Sequence, residues 1–190
     1  MVKALGAIGK RQAHEEARME RNIILIGFMG AGKTTNGQLL ARALGFRFVD
    51  TDACIETAAG KSIPDLFASV GEAGFRDLES AVLREVLGGE RQVISTGGGV
   101  VLRPENREAI RAGGCCVWLA AAPETVWERV RQETHRPLLH TADPEGTIRR
   151  MLAEREPIYR ETADLCIDTA NRDPESIVSG IIAWLDERAV

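Results

Sequence analysis

Residues 23–26, Ile-Ile-Leu-Ile, run without interruption into Gly27-Phe28-Met29-Gly30-Ala31-Gly32-Lys33-Thr34. A strand-length apolar run feeding G-x-x-x-x-G-K-T is the setting a phosphate-binding loop requires. Its glycines let successive backbone N–H groups turn inward around a polyphosphate. Lys33 adds positive charge near the β and γ phosphates, and the Thr34 hydroxyl can ligate an accompanying Mg²⁺. Leu39-Leu40-Ala41 and Ala43-Leu44 then predict a helix that starts at the loop. Its N-terminal dipole and unpaired N–H groups would face the same anion. Motif, preceding strand and following helix agree, so this is not read as an accidental glycine-rich turn. The block predicts binding of a nucleoside triphosphate.

The rest of the chain fits the fold such a loop demands. Apolar runs at 23–27, 46–49, 92–96, 115–119 and 165–168 have the length and continuity of buried parallel strands. Helical patterns separate them at 33–44, 71–87, 104–112, 123–133 and 174–188, with Pro104, Pro123 and Pro174 near helix starts. This alternation predicts an α/β fold of three layers, α/β/α, with a five-stranded parallel sheet. Two stretches interrupt it. Residues 52–70 suggest short helices, and residues 134–146 form a polar connection between two helices. Insertions beyond the carboxyl ends of strands are candidates for substrate cover, and the second stretch looks like a lid, spanning about 129–146.

Composition bounds the partners. The 190 residues suit a single domain, expected over 21–190. Residues 1–20, with Gly6, Gly9 and mixed charge around His14, read as a flexible N-terminal extension, not a targeting peptide. The net charge is −4, with none of the basic footprint of a nucleic-acid binder. No apolar stretch is long enough to suggest a membrane span. Cys54, Cys115, Cys116 and Cys166 form no C-x-x-C pair and no zinc-type spacing, and a reducing cytoplasm is the expected location. The chain is expected to act as a monomer.

A phosphate loop alone covers ATPases, GTPases and kinases, so the remaining strand ends must supply the distinction. Asp50-Thr51-Asp52 follows the second strand. One carboxylate there could support a Mg²⁺ hydration shell while the other takes a proton from an attacking hydroxyl; equally, one could only cap the next helix. Gly97-Gly98-Gly99 follows the third strand, where absent side chains permit close backbone approach to a ligand. Arg76 and Arg155 could grip a carboxylate through their planar forks. Either could instead be a solvated helix residue, and Arg76 could simply pair with Glu79 at i,i+3 spacing.

Taken together these elements resemble the shikimate kinase family. The resemblance runs from Gly27 to Asp52 through Gly71-Glu72-Ala73-Gly74-Phe75-Arg76-Asp77-Leu78-Glu79 and Ser95-Thr96-Gly97-Gly98-Gly99. It continues through Arg136-Pro137-Leu138-Leu139, Arg155-Glu156-Pro157-Ile158-Tyr159 and Asn171-Arg172-Asp173-Pro174, covering roughly residues 22–188. The phosphate loop is generic; D-T-D, F-R-x-x-E, G-G-G and R-P-L-L in this order are specific as a set. Ile158 stands where Leu is frequent and Thr34 where Ser is common, neither altering the chemistry.

The resemblance implies a nucleoside-monophosphate-kinase-like P-loop fold with lid and substrate-binding segments. It implies transfer of the γ-phosphoryl of ATP to the 3-hydroxyl of shikimate, with ATP and Mg²⁺ as cofactors and chorismate biosynthesis as the setting. Gly30, Ala31, Gly32, Lys33, Thr34 and Thr35 would surround the ATP phosphates. Thr34 would ligate Mg²⁺, and Asp50 would assist through water. Asp52, Arg76, Gly97, Gly98, Gly99 and Arg155 would hold shikimate, with both arginines on its carboxylate and Asp52 on the reacting hydroxyl. Phe67 and Phe75 would line the apolar side. Arg136 would reach the phosphates from the lid, and Arg129 and Arg172 would lie near adenine. Lys33, Asp52 and Arg136 would thus be the catalytic residues. Two rivals remain at this point: a gluconate kinase of similar architecture, and an idle nucleotide-binding module. A nucleic-acid-stimulated motor fits an acidic chain poorly.

Overall fold

The computed structural model describes residues 21–131 and 141–188. Five strands form one parallel sheet: β1 (Asn22–Ile26), β2 (Arg47–Asp50), β3 (Gln92–Ser95), β4 (Gly114–Ala120) and β5 (Leu165–Asp168). Their spatial order is β2-β3-β1-β4-β5, so the strand that feeds the phosphate loop lies at the centre. Among the described residues, seven helices accompany them: α1 (Lys33–Leu44), α2 (Thr51–Ala59), α3 (Ile63–Leu87), α4 (Pro104–Gly113), α5 (Pro123–Val130), α6 (Pro144–Thr162) and α7 (Pro174–Glu187). A short 3₁₀ turn, Val100–Leu102, precedes α4.

The apolar runs are continuous because both faces of the sheet are covered. Ile23 and Leu25 of β1, Val93, Val117 and Leu119 join Leu40 of α1 and Ile177, Val178 and Ile181 of α7 in one core. Their alternates Ile24, Ile26, Ile94, Cys116 and Trp118 turn to the other face, against Leu83 of α3, Ile110 of α4 and Tyr159 of α6. The period of two along each strand thus makes the three layers.

The expected strands are all present within a residue or two of their bounds. α3 is two helices joined at a kink: Gly71, with φ 70 and ψ −179, is non-helical, and the helix expected from 71 follows a shorter one that begins at Ile63 after a Ser62 cap. With α2, that shorter helix accounts for the short helices expected over 52–70. Helix α6 begins at Pro144 with Asp143 accepting from the Gly146 amide. The ends of the expected lid therefore belong to helices: Arg129 and Val130 to α5, and residues 144–146 to α6. Arg136 lies outside the described residues.

Candidate active site

At the carboxyl end of β1 the chain turns through the glycine loop into α1. Gly32 caps the helix with φ 87 and ψ 19, a left-handed conformation that any β-carbon would strain. Lys33 is nearly buried, and its Nζ donates to the carbonyls of Gly27 at 2.8 Å and Phe28 at 2.9 Å. The ammonium therefore braces the loop from within. Thr34 and Thr35 are exposed on the first turn of α1.

The Thr34 hydroxyl donates to Asp50 Oδ2 at 3.0 Å, with Ser95 Oγ 3.5 Å from the same hydroxyl. Asp50 Oδ1 accepts from the amides of Asp52 at 3.0 Å and Ala53 at 3.5 Å, capping α2. The capping reading of this carboxylate holds through one oxygen, while the other takes the Thr34 hydroxyl of the phosphate loop. Two hard oxygen donors, a hydroxyl and a carboxylate, beside a polyphosphate cradle suit Mg²⁺, which takes the rest of its shell from phosphates and water.

The glycine triplet after β3 stands beside this loop. A β-carbon on Gly98 would lie 3.4 Å from the Met29 amide nitrogen and 3.5 Å from the Gly27 carbonyl oxygen. The two loops are therefore in backbone contact. A β-carbon on Gly97 would come within 2.8 Å of both Asp52 Oδ1 and Glu79 Oε1, and one on Gly99 would strike the Arg76 guanidinium. The missing side chains at Gly97 and Gly99 thus leave room for Asp52, Glu79 and Arg76. That role was not visible in the sequence.

Arg76 is held from two sides. Its Nη1 donates to Glu79 Oε2 at 2.7 Å and its Nη2 to Glu72 Oε1 at 3.4 Å. The i,i+3 pairing weighed from the sequence is thus real, and it orients the arginine instead of neutralising it on the surface. Only 13% of the Arg76 side chain and 1% of the Glu79 side chain are exposed. Burial pushes the Glu79 carboxyl above its ordinary range, and the Arg76 charge pulls it partly back. Arg76 Nε–H is buried and has no acceptor among the described residues. An orphaned guanidinium donor of this kind costs about 1–3 kcal/mol or more unless something arrives to accept from it.

Arg155 approaches from α6. Its Nη1 donates to the Gly98 carbonyl at 3.3 Å, and its guanidinium lies 5.4 Å from the Phe28 ring centroid. Phe67 and Phe75, expected on the apolar side, stack with centroids 4.3 Å apart and planes at 27°, and the Arg76 guanidinium lies 5.3 Å from the Phe75 ring centroid. The structure therefore gathers Asp52, Arg76, Gly97–Gly99 and Arg155 around one spot, against the loop of residues 27–34.

The two arginines expected near adenine behave differently. Arg129 Nη1 donates to Gly30 O at 3.0 Å and Nη2 to Thr169 O at 3.1 Å, tying the phosphate loop to the turn after β5. Arg172 is exposed on that turn. Two groups escaped the sequence reading of the site. Glu79 closes the F-R-x-x-E element and pairs with Arg76 by spacing, yet nothing in the sequence assigned it a site role. Tyr159, buried beneath Gly98, closes the segment that starts at Arg155 and likewise received none.

A strand-fed phosphate loop, a hydroxyl and carboxylate in contact beside it, and two arginines on the adjoining glycine triplet are the arrangement of a P-loop phosphotransferase. The family profile described as shikimate kinase matches residues 29–186. The chain belongs to the shikimate kinase family. It is 48% identical over 169 residues to the shikimate kinase of Symbiobacterium thermophilum, covering 88% of this chain and 97% of that one. The shikimate kinase of Thermodesulfovibrio yellowstonii is 47% identical over 162 residues, 85% of this chain and 93% of its own. The structure of a shikimate kinase from Acinetobacter baumannii in complex with shikimate superimposes with a TM-score of 0.87 at 36% identity. That match covers 92% of this chain and 98% of the other.

Proposed function

We propose that the chain transfers the γ-phosphoryl group of ATP to the 3-hydroxyl of shikimate, giving shikimate 3-phosphate and ADP. Family membership carries the activity and the use of ATP. The observation that carries the acceptor assignment is the buried, unaccepted Nε–H of Arg76, whose guanidinium packs on the glycine triplet that also adjoins Asp52 and the phosphate loop. A carboxylate fits that donor, and Arg155 supplies the second guanidinium.

The residues divide the work as follows. Gly30 to Thr35 cradle the phosphates with backbone N–H groups, and Lys33 turns from its loop carbonyls to the transferring group. Thr34 would hold Mg²⁺, with Asp50 assisting through water. When bound, the cation neutralises phosphate charge. Asp52 accepts the hydrogen bond of the reacting hydroxyl and then its proton, orienting the oxygen for in-line attack. Phosphoryl transfer asks little covalent work of a protein, so alignment and charge compensation dominate. Arg136 completes the charge on the phosphates from the lid, and Arg129 and Arg172 flank the adenine. The proposal extends to a monomer in the cytoplasm; Cys54, Cys116 and Cys166 are free thiols, as that compartment favours.

The direct test is ADP release with shikimate, with gluconate and with no acceptor, each with and without Mg²⁺. Release that depends on shikimate and on Mg²⁺ is expected. Preference for gluconate, or release indifferent to any acceptor, would overturn the assignment.

A further inference from the structure

Tyr159 is the only tyrosine in the chain and is fully buried on α6. Its ring stacks on Trp118 with centroids 5.8 Å apart. Its hydroxyl donates to the Gly98 carbonyl at 2.5 Å, and one helical turn earlier Arg155 Nη1 donates to that same oxygen at 3.3 Å. A single loop carbonyl therefore takes two donors from one face of α6.

Position makes that carbonyl consequential. The peptide unit is planar, so fixing the Gly98 carbonyl also fixes the direction of the Gly99 N–H on its opposite side. Gly97 and Gly99 flank it, packed on Asp52, Glu79 and Arg76. A glycine triplet has no side chains to anchor it, and its backbone would otherwise be the loosest part of the pocket. Arg155 gains as well, because the oxygen it leans on is held in place by a rigid aromatic. We infer that Tyr159 is a positioning residue for the acceptor: through the Gly98 carbonyl its hydroxyl sets the glycine loop and the reach of Arg155. This rests on the shikimate reading of the site. Burial pushes the phenol up to about 12, so it stays a donor throughout any ordinary assay.

Two measurements on the full chain test it. Tyr159→Phe keeps the ring and its stacking and removes one hydroxyl. KM for shikimate should rise about two- to tenfold, the range of one neutral hydrogen bond, while KM for ATP stays within about twofold. Combined with Arg155→Lys, the effects on shikimate KM should be non-additive, since both act through one oxygen. A folded Tyr159→Phe enzyme with unchanged shikimate KM, or with both KM values raised alike, would overturn the inference. Because the tyrosine is unique, biosynthetic 3-fluorotyrosine also places one ¹⁹F reporter at this site without loss of the hydroxyl. Its resonance should move on addition of shikimate, and a resonance unmoved at saturation would overturn the inference even if Tyr159→Phe failed to fold. Should the parent enzyme not phosphorylate shikimate at all, the failure would lie instead with the reading of the site.

Discussion

The two halves of the site are built on opposite plans. The phosphate half is a contiguous peptide, residues 27–35, whose binding groups are mainly backbone amides and whose one cation, Lys33, bonds to carbonyls of its own loop. The acceptor half is assembled from α2, α3, the β3 loop and α6; Arg76 is held by the side chains of Glu79 and Glu72, and Arg155 by a distant loop carbonyl to which Tyr159 also donates. A polyphosphate is recognised by charge and shape common to every nucleotide, so a local cradle suffices. A particular hydroxy acid must be recognised by directions, and directions need side chains fixed from several elements. Generic binding is thus local, and specific binding is distributed.

That contrast would break first at Lys33. If the phosphate half serves the transferring group, Lys33→Ala should lower kcat by about 10²–10³-fold, as loss of one donor to developing charge does. It should leave shikimate binding nearly intact. Losing its two bonds to loop carbonyls should lower Tm by only about 3–10 °C. Single-turnover rates beside a melting curve separate these. A normal kcat, or a loss explained by unfolding, would end the division proposed here.

The acceptor half should respond in KM. Arg76→Ala or Arg155→Ala each removes a charge-assisted contact to the carboxylate worth about 1.5–3 kcal/mol, which corresponds to a rise of about ten- to a hundredfold in shikimate KM. KM for ATP should hardly change. Initial rates over a grid of both substrates would show this, and a shift confined to ATP would mean that these arginines serve the nucleotide.

The same contrast explains what was legible in the sequence. The phosphate half could be read from residues alone, since its motif, strand and helix are contiguous and each has a local physical signature. The sheet was readable for a similar reason: its central strand, covered on both faces, appears as an unbroken apolar run, and β2, β3 and β5 as shorter ones. In the acceptor half, no spacing rule links Asp52 to Arg76 or to Arg155, and only family resemblance joined them. Even that gave partners without reasons. The glycine triplet was expected to make room for a ligand, yet Gly97 and Gly99 make room for Asp52, Glu79 and Arg76. The helix boundary at 71 was legible for a local reason as well, since Gly71 is non-helical and separates the short helix that starts at Ile63 from the longer one after it.

The finest test concerns Glu79, the group that fixes Arg76 from inside. Its carboxyl is raised above the ordinary range of 4.5, first by burial, with Arg76 opposing. A carboxyl raised on folding binds its proton more tightly in the folded state. Its contribution to stability is therefore complete below the unfolded value and declines as pH rises through the folded value. Glu79→Gln keeps the shape and an acceptor for Arg76 but does not titrate. The stability difference between the two proteins should therefore shift in favour of the glutamine variant as pH rises from about 4 toward neutrality. Shikimate KM should rise less than in Arg76→Ala, because the guanidinium keeps a partner. Urea denaturation of both proteins across that pH range reads the slope directly. A flat difference would mean that Glu79 is not strained by its burial, and an opposite slope would mean that Arg76 more than compensates it. In either case the acceptor half would be anchored by a favourable ion pair, and the cost assigned here to fixing direction from within would disappear.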